Sequence, residues 1–330
     1  MKRRAVVRLI LILFIVLLIV PFVIPLPVTG ADPALFADSD GRFVTVNGLE
    51  TYVREQGDPN APAVLLLHGW GGSTFSWRET ITPLAEAGYR VIAFDRPPYG
   101  LSQKSGDVPL SVTRQAQFTN ALMDQLGIER AHFVGHSMGG AVIAYFSAMY
   151  PNRIASCVFV AAAVRAADEG RGESSSLVQS LLDFPPVRWW ARMGLRAFVR
   201  PDAFAGLQRT AYYDQSVMTP EVVAGYGRQL ELENWDDAIL DVLTRSAADD
   251  IPLSAAQIES ITMPSLIVWG ENDTWVEPSV GVRLREMLPN DLYITYPQVG
   301  HMPMEEVPEQ FNADVIAFLD AQTNSVDDES

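Results

Sequence analysis

Six short runs of the chain are nearly continuous in apolar and β-branched residues, where a strand with one wet face would alternate. They are AVLLLHG (63–69), YRVIAFD (89–95), AHFVGH (131–136), SCVFVAAA (156–163), SLIVWGEND (265–273) and DLYITYPQ (291–298). A strand buried on both faces reads this way, and such strands belong to parallel sheets covered by helices. Helical patterns lie between the runs: STFSWRETITPLAEAG, LSVTRQAQFTNALMDQLG with Ser111 as its N-cap, Met138 to Tyr150, and Pro278 to Leu288. Glu305 to Leu319 closes the chain with another. Strands alternating with helices predict an α/β fold with a mostly parallel sheet and helices on both faces. RFVTVNGLETYVRE precedes them, and its Asn47-Gly48 pair suits a type I′ turn, so the sheet opens with a β-hairpin.

One interval breaks the alternation. From Val164 to Ile261 there is no buried-strand run. The stretch begins with a loop-like DEGRGESSS and carries Trp189, Trp190, Tyr212, Tyr213, Tyr226 and Trp235. It reads as a helical cap over the sheet. The chain then divides into an N-terminal segment (1–30), a polar linker (31–41), a core (42–163 and 262–321), the cap (164–261) and an acidic tail (322–330). With 330 residues, 48% of them hydrophobic, there is enough apolar surface for one large domain with an insert.

The first thirty residues are a separate problem. Lys2, Arg3, Arg4 and Arg8 precede an uninterrupted apolar run from Leu9 to Val20, which Phe22 to Ile24 extend past Pro21. About 20 apolar residues span a bilayer core, and the predicted membrane contact covers residues 5–28. Positive charge ahead of the run puts the N-terminus in the cytoplasm and the rest of the chain outside. The segment reads as an uncleaved single-pass anchor. The alternative is a cleaved signal peptide and a secreted product, since Val28 and Gly30 are small residues near a plausible cut; the run is long for that. A buried core helix is the third reading.

The net charge of −16 repels nucleic acid, and no basic patch occurs beyond the N-terminus, so nucleic acid is not an expected partner. Cys157 is the only cysteine. It lies in a predicted strand, reads as a small core residue, and rules out an intrachain disulfide. No phosphate loop, nucleotide fingerprint or metal-ligand pattern is present, so no cofactor and no metal are expected.

In open parallel sheets, chemistry collects at the C-terminal ends of the strands. Those ends carry His68-Gly69-Trp70-Gly71-Gly72, Asp95, Gly135-His136-Ser137-Met138-Gly139, Gly270-Glu271-Asn272-Asp273, and the loop with Gly300-His301-Met302. Glycines around Ser137 permit a tight strand-to-helix turn that presents the hydroxyl at the top of the sheet. A serine needs a base to become a nucleophile. Of the four histidines, His68 belongs to the glycine turn and His132 starts a strand far from the site. His136 adjoins Ser137, so its side chain diverges. His301 remains, in a loop free to reach over the sheet. Asp273 would orient its imidazole, with Glu271 and Glu277 as rival acids. The backbone N–H groups of Trp70 and Met138 are the expected oxyanion donors. Singly, Ser137 could be a turn residue, Asp273 a solvated loop acid or cap, His301 a surface or hydrogen-bonded core histidine and Trp70 packing; together, in order and on matching strand ends, they point to a catalytic set. His68 and Asp95 read as loop-fixing residues.

With HGWGG, DRPPYGLS, GHSMGG, GEND and GHMPMEE in this order, residues 42 to 320 resemble the α/β-hydrolase fold family. The resemblance implies a cap inserted after the sixth strand, which falls on Val164 to Ile261. A serine at 137 separates the chain from epoxide hydrolases and haloalkane dehalogenases of that fold, which use aspartate there. Pro97-Pro98 departs from the commoner Arg-Gly or Pro-Gly, and no chemistry attaches to it. The expected reaction is hydrolysis of a carboxylic ester with an apolar group, in a pocket built from Trp70, His136, Met138, Met302, Trp189 and Trp190. Lipid esters, lactones, amides, C–C bonds and perhydrolysis remain open on the same residues, as does a non-catalytic binding role. The stretch 184–200 (FPPVRWWARMGLRAFVR) reads either as an amphipathic cap helix packed on the core or as a surface lying on a bilayer.

Overall fold

The computed structural model describes residues 2–27, 30–166, 176–245 and 252–327. Helix α1 (Lys2–Val23) comes first. Strands β1 (Gly41–Val46) and β2 (Leu49–Gln56) form the expected hairpin, with Asn47 at φ 50° and Gly48 at φ 80°. Then come β3 (Ala63–Leu67), α2 (Ile81–Glu86), β4 (Arg90–Phe94), α3 (Val112–Gln125), β5 (Ala131–His136), α4 (Met138–Met149) and β6 (Ile154–Val160). The cap follows as α5 (Ser176–Asp183), α6 (Pro185–Phe198), α7 (Pro201–Arg209), α8 (Pro220–Gly227), α9 (Trp235–Arg245) and α10 (Ala255–Glu259). The chain returns through β7 (Ser265–Gly270), α11 (Pro278–Met287), β8 (Asp291–Tyr296), α12 (Pro303–Glu306) and α13 (Pro308–Asp327). Ser111 caps α3 as its sequence predicts, accepting from Arg114 N–H at 3.3 Å.

The eight strands form one sheet in the order β1-β2-β4-β3-β5-β6-β7-β8. The β1–β2 and β2–β4 pairs are antiparallel and the rest parallel. Both faces are buried, and alternate residues of one strand enter different cores. Leu65 and Leu67 join the cluster with α3 and α4, through Phe118, Leu122, Val142 and Phe146. Val64 and Leu66 join the cluster with α2 and α13, through Ile81, Leu84, Phe311 and Val315. The chain leaves β3 toward β4 on one side and returns to β5 on the other, so a crevice opens beyond the C-terminal ends of β3 and β5.

Three boundaries differ from expectation. The linker is docked rather than loose: Ala31 N–H donates to Glu231 O at 2.8 Å, and Asp40 accepts Arg54 at 2.9 and 3.0 Å. Asp38 and Asp40 find partners on β2 in Tyr52, Arg54 and Gln56. The acidic tail is helical as far as Asp327, because no glycine or proline interrupts the ladder after Pro308. The helix expected after β3 shrinks to a 3₁₀ turn (Thr74–Trp77) and α2. The DEGRGESSS loop, apart from Ser176, and Val28 lie outside the described residues. Every helix and turn described between 176 and 245 agrees with a helical insert.

Helix α1 is long and apolar enough to cross a membrane, and its apolar side chains are exposed. It packs along α6. The Trp190 indole N–H donates to Leu17 O at 2.8 Å and Trp189 to Ile24 O at 3.0 Å. On its other side α6 is fixed to α9 by Arg188 with Asp237 and Asp241, and by Arg192 and Arg196 with Asp236. The 184–200 stretch therefore packs on cap helices and on α1.

Candidate active site

The chain reaches the crevice through β5, and Ser137 ends that strand as the residue before α4. Its φ is 52° and its ψ −116°, a region a residue with a Cβ enters at a cost of about 1–3 kcal/mol. The turn must be this tight because α4 lies against the end of β3: a Cβ on Gly139 would run into the carbonyl oxygen of Leu67. Ser137 N–H is tied to Val160 O at 2.9 Å, and its carbonyl accepts from Gly140 and Ala163 N–H at 3.0 Å each. The residue is 9% exposed. It opens onto a cavity of about 110 Å³ that Gly69, Trp70, His136, His301 and Met302 also line.

His301 enters that cavity from the loop between β8 and α12. The loop is held from above, where His301 N–H donates to Ala211 O of the cap at 2.6 Å. The imidazole Nδ1 lies 2.7 Å from Asp273 Oδ2. Asp273 Oδ1 accepts the N–H groups of Trp275 and Val276 at 2.8 and 2.9 Å, and the Trp275 ring stacks on the imidazole at 5.6 Å. A carboxylate only accepts, so Nδ1 carries a proton toward Asp273, and the other ring nitrogen, Nε2, faces away from it. The rival acids are engaged elsewhere: Glu271 accepts Thr295 Oγ1 at 2.9 Å, and Glu277 lies beside Ser279.

Two other histidines are held by partners of their own. His136 lines the cavity but donates from Nε2 to the His301 carbonyl at 2.8 Å, and burial pushes its pKa well below the usual value. His132 lies at the far end of β5, 2.7 Å from Ser156 Oγ, and burial lowers it to about 4. Asp95 fixes its loop, accepting Thr74 and Leu101 N–H at 2.6 Å each.

Met138 opens α4, so its N–H has no intrahelical acceptor and lies at the positive end of the helix dipole. Gly69 lets the loop before Trp70 come close: a Cβ there would lie 3.1 Å from Ser137 Cβ and 2.8 Å from His136 Nδ1. Among the described residues, neither the Trp70 nor the Met138 N–H donates to a protein acceptor.

A second cavity of about 300 Å³ shares Trp70 with the first as a lining residue. Its walls come from α6, α7 and α9 and include Leu195, Phe204, Trp235, Ile239 and Val242. Its rim holds Phe198, Leu207 and Leu243, which are 81%, 46% and 61% exposed. Trp189 and Trp190 line neither cavity, a correction to the expected pocket. Their rings occupy the side of α6 that meets α1, and helical periodicity turns Leu195 and Phe198 the other way.

Sequence reasoning missed the polar wall of the smaller cavity. Tyr226 and Ser76 line it and share a hydrogen bond at 3.0 Å. The Tyr226 hydroxyl also donates to Glu305, a fully buried carboxylate that pairs with Arg78 at 2.6 Å and accepts Tyr212 at 2.9 Å. Burial, with Glu305 beside it, holds the Tyr226 hydroxyl well above its ordinary pKa. This network joins cap to core. A glutamate, an arginine and two tyrosines scattered between positions 78 and 305 leave no local pattern to find.

A sheet of this order with a strained serine at its switch point defines a hydrolase scaffold, and the family follows. The model of the alpha/beta hydrolase fold matches residues 62–308, and the chain belongs to that family. It is 27% identical to the uncharacterized hydrolase YugF of Bacillus subtilis (strain 168), over 84% of this chain and 97% of that one. It is 30% identical to a 2-hydroxy-6-oxononadienedioate/2-hydroxy-6-oxononatrienedioate hydrolase of Burkholderia vietnamiensis (strain G4 / LMG 22486), over 82% and 91%. The crystal structure of a bacterial membrane phospholipase A superposes with a TM-score of 0.66 at 25% identity, covering 98% of this chain and all of that one. The chain is thus a hydrolase with an N-terminal apolar helix.

Proposed function

We propose that this protein hydrolyses carboxylic esters carrying a long apolar group. Ser137 is the nucleophile, His301 the general base and then acid, and Asp273 the residue that orients and stabilises the imidazolium. Ser137 Oγ attacks the ester carbonyl as Nε2 of His301 takes its proton. The N–H groups of Trp70 and Met138 hold the oxyanion. The alcohol leaves with the proton from His301, and water repeats the steps on the acyl-enzyme. Residues 42–163 and 262–321 supply this machinery, and 164–261 cover it.

The observation that carries the substrate class is the 300 Å³, mostly apolar cavity that shares the Trp70 wall with the Ser137 cavity. Among the described residues no lysine or arginine lines the smaller cavity, which suits a neutral ester. Lipid esters are the favoured members of the class. The exposed apolar rim lies on the cap whose α6 carries the membrane-length helix, and a membrane phospholipase A shares the fold over the whole chain. On this reading α1 is an uncleaved anchor and the catalytic domain is extracytoplasmic. C–C hydrolysis is the second reading, favoured by the named activity of the Burkholderia relative.

The test is turnover by the detergent-solubilised full chain. Expected is hydrolysis of p-nitrophenyl esters, with an optimum above butyrate, that Ser137→Ala and His301→Ala each lower by at least about 10³-fold. Turnover of a 2-hydroxy-6-oxo-dienoate with no ester hydrolysis at any chain length would replace this reading by the second.

A further inference from the structure

Arg96 is an arginine without a carboxylate. It is wholly buried, and its Nε and Nη1 have no partner among the described residues. Its remaining nitrogen, Nη2, donates to His68 O at 2.5 Å and to Gly69 O at 3.4 Å. Burial lowers its pKa to about 10, so it stays charged at neutral pH. Burying a charge this way is costly, and among the described residues no ion pair offsets it; the Tyr99 ring lies 5.6 Å from the guanidinium carbon.

Its place explains the cost. The Arg96 backbone N–H donates to His68 Nε2 at 3.0 Å. That nitrogen is therefore bare, and the proton sits on Nδ1, which donates to Gly69 O at 2.8 Å. Burial, with the Arg96 charge nearby, keeps the ring neutral, and the two hydrogen bonds fix this tautomer. Gly72 N–H reaches the same oxygen at 3.3 Å. Three donors thus converge on one carbonyl: a ring nitrogen, a guanidinium and a backbone amide. Gly69 C=O and Trp70 N–H belong to one planar, trans peptide unit, so they point in opposite directions. Donors on the carbonyl side hold the N–H on the other side. Gly69 itself lies against the nucleophile, since a Cβ on it would be 3.1 Å from Ser137 Cβ.

We propose that Arg96 and His68 are positioning residues that clamp the Gly69 carbonyl and thereby aim the Trp70 N–H into the catalytic cavity. Neither touches substrate. The inference rests on the oxyanion role assigned to Trp70 above. Without the clamp, Gly69–Trp70 is one peptide of a glycine-rich turn and is free to rotate, its carbonyl into the site and its N–H away.

The test uses the full chain in detergent with Arg96→Met, Arg96→Lys, His68→Leu and His68→Asn. Lysine keeps a charged donor toward the carbonyls, and asparagine keeps a donor where Nδ1 stood. The readouts are kcat and KM for a p-nitrophenyl ester, and the rate at which a fluorophosphonate labels Ser137. Labelling develops an oxyanion on phosphorus whatever the natural substrate. Losing one oxyanion donor costs about 10²–10³ in kcat. Arg96→Met and His68→Leu are therefore expected to lose 10- to 100-fold in kcat and labelling rate with KM within about threefold, and the conservative variants to recover part of it. Labelling at the wild-type rate in folded Arg96→Met and His68→Leu overturns the clamp and leaves the Ser137 reading intact. A wild type that is never labelled overturns the Ser137 reading instead. Crystal structures of the variants then decide the clamp: a turned Gly69 carbonyl supports it and an unmoved one refutes it. Should Arg96→Met not fold, His68→Leu against His68→Asn carries the same comparison.

Discussion

Ser137 lends itself to a comparison of two inactive proteins. Ser137→Ala and Ser137→Gly both remove the hydroxyl, so both should fall to the same residual activity. They differ in the Cβ at φ 52° and ψ −116°. Alanine keeps a strain of about 1–3 kcal/mol. Glycine relieves it and loses about 0.5–1 kcal/mol to the greater freedom of the unfolded chain. The difference favours glycine by about 1 kcal/mol, or a melting point higher by about 2–4 °C for a chain of this size. Circular dichroism melts and urea titrations in one detergent measure it. A glycine variant that melts at or below the alanine variant would show that the turn stores no strain. The explanation of the turn by close packing of α4 on β3 would then fail.

Three further outcomes follow from named contacts. Glu305→Gln leaves the largely buried Arg78 with only the half-exposed Glu79 carboxylate at 3.5 Å, which should destabilise the fold by about 3 kcal/mol in urea and lower kcat/KM through Tyr226; a loss under about 1 kcal/mol would count against the network. His132 has an ordinary pKa of 6.5 and a folded value of about 4, so below pH 6.5 the unfolded chain takes up a proton that the folded chain refuses. Stability should then fall as pH drops, by about 2 kcal/mol at pH 5 relative to pH 7.5, and His132→Gln should flatten that slope. Val242→Phe narrows the larger cavity and should shift the preferred ester to shorter chains, with p-nitrophenyl acetate turnover nearly unchanged; an unshifted optimum would place the apolar group elsewhere.

The sequence alone determined the sheet, because strands buried on both faces and glycine-marked strand ends are local signals. The six continuous runs became β3 to β8, Asn47-Gly48 turned the hairpin, and the described part of the interval without strand runs became helices and short turns. Elimination among four histidines led to His301, which the structure sets beside Asp273. What only the tertiary structure decided depends on side chains far apart in the chain. The walls of the cavities are of this kind: Trp189 and Trp190 are two aromatics on an amphipathic helix, and either face of α6 could have met the site. Packing against α1 on one side and α9 on the other chose the face. The Arg78–Glu305–Tyr226 network and the three donors on the Gly69 carbonyl are of this kind too. Arg96 sits in DRPPYGLS with no pattern around it that announces a role. Its meaning comes from the carbonyl it reaches 27 residues away, and only the folded crevice brings the two together.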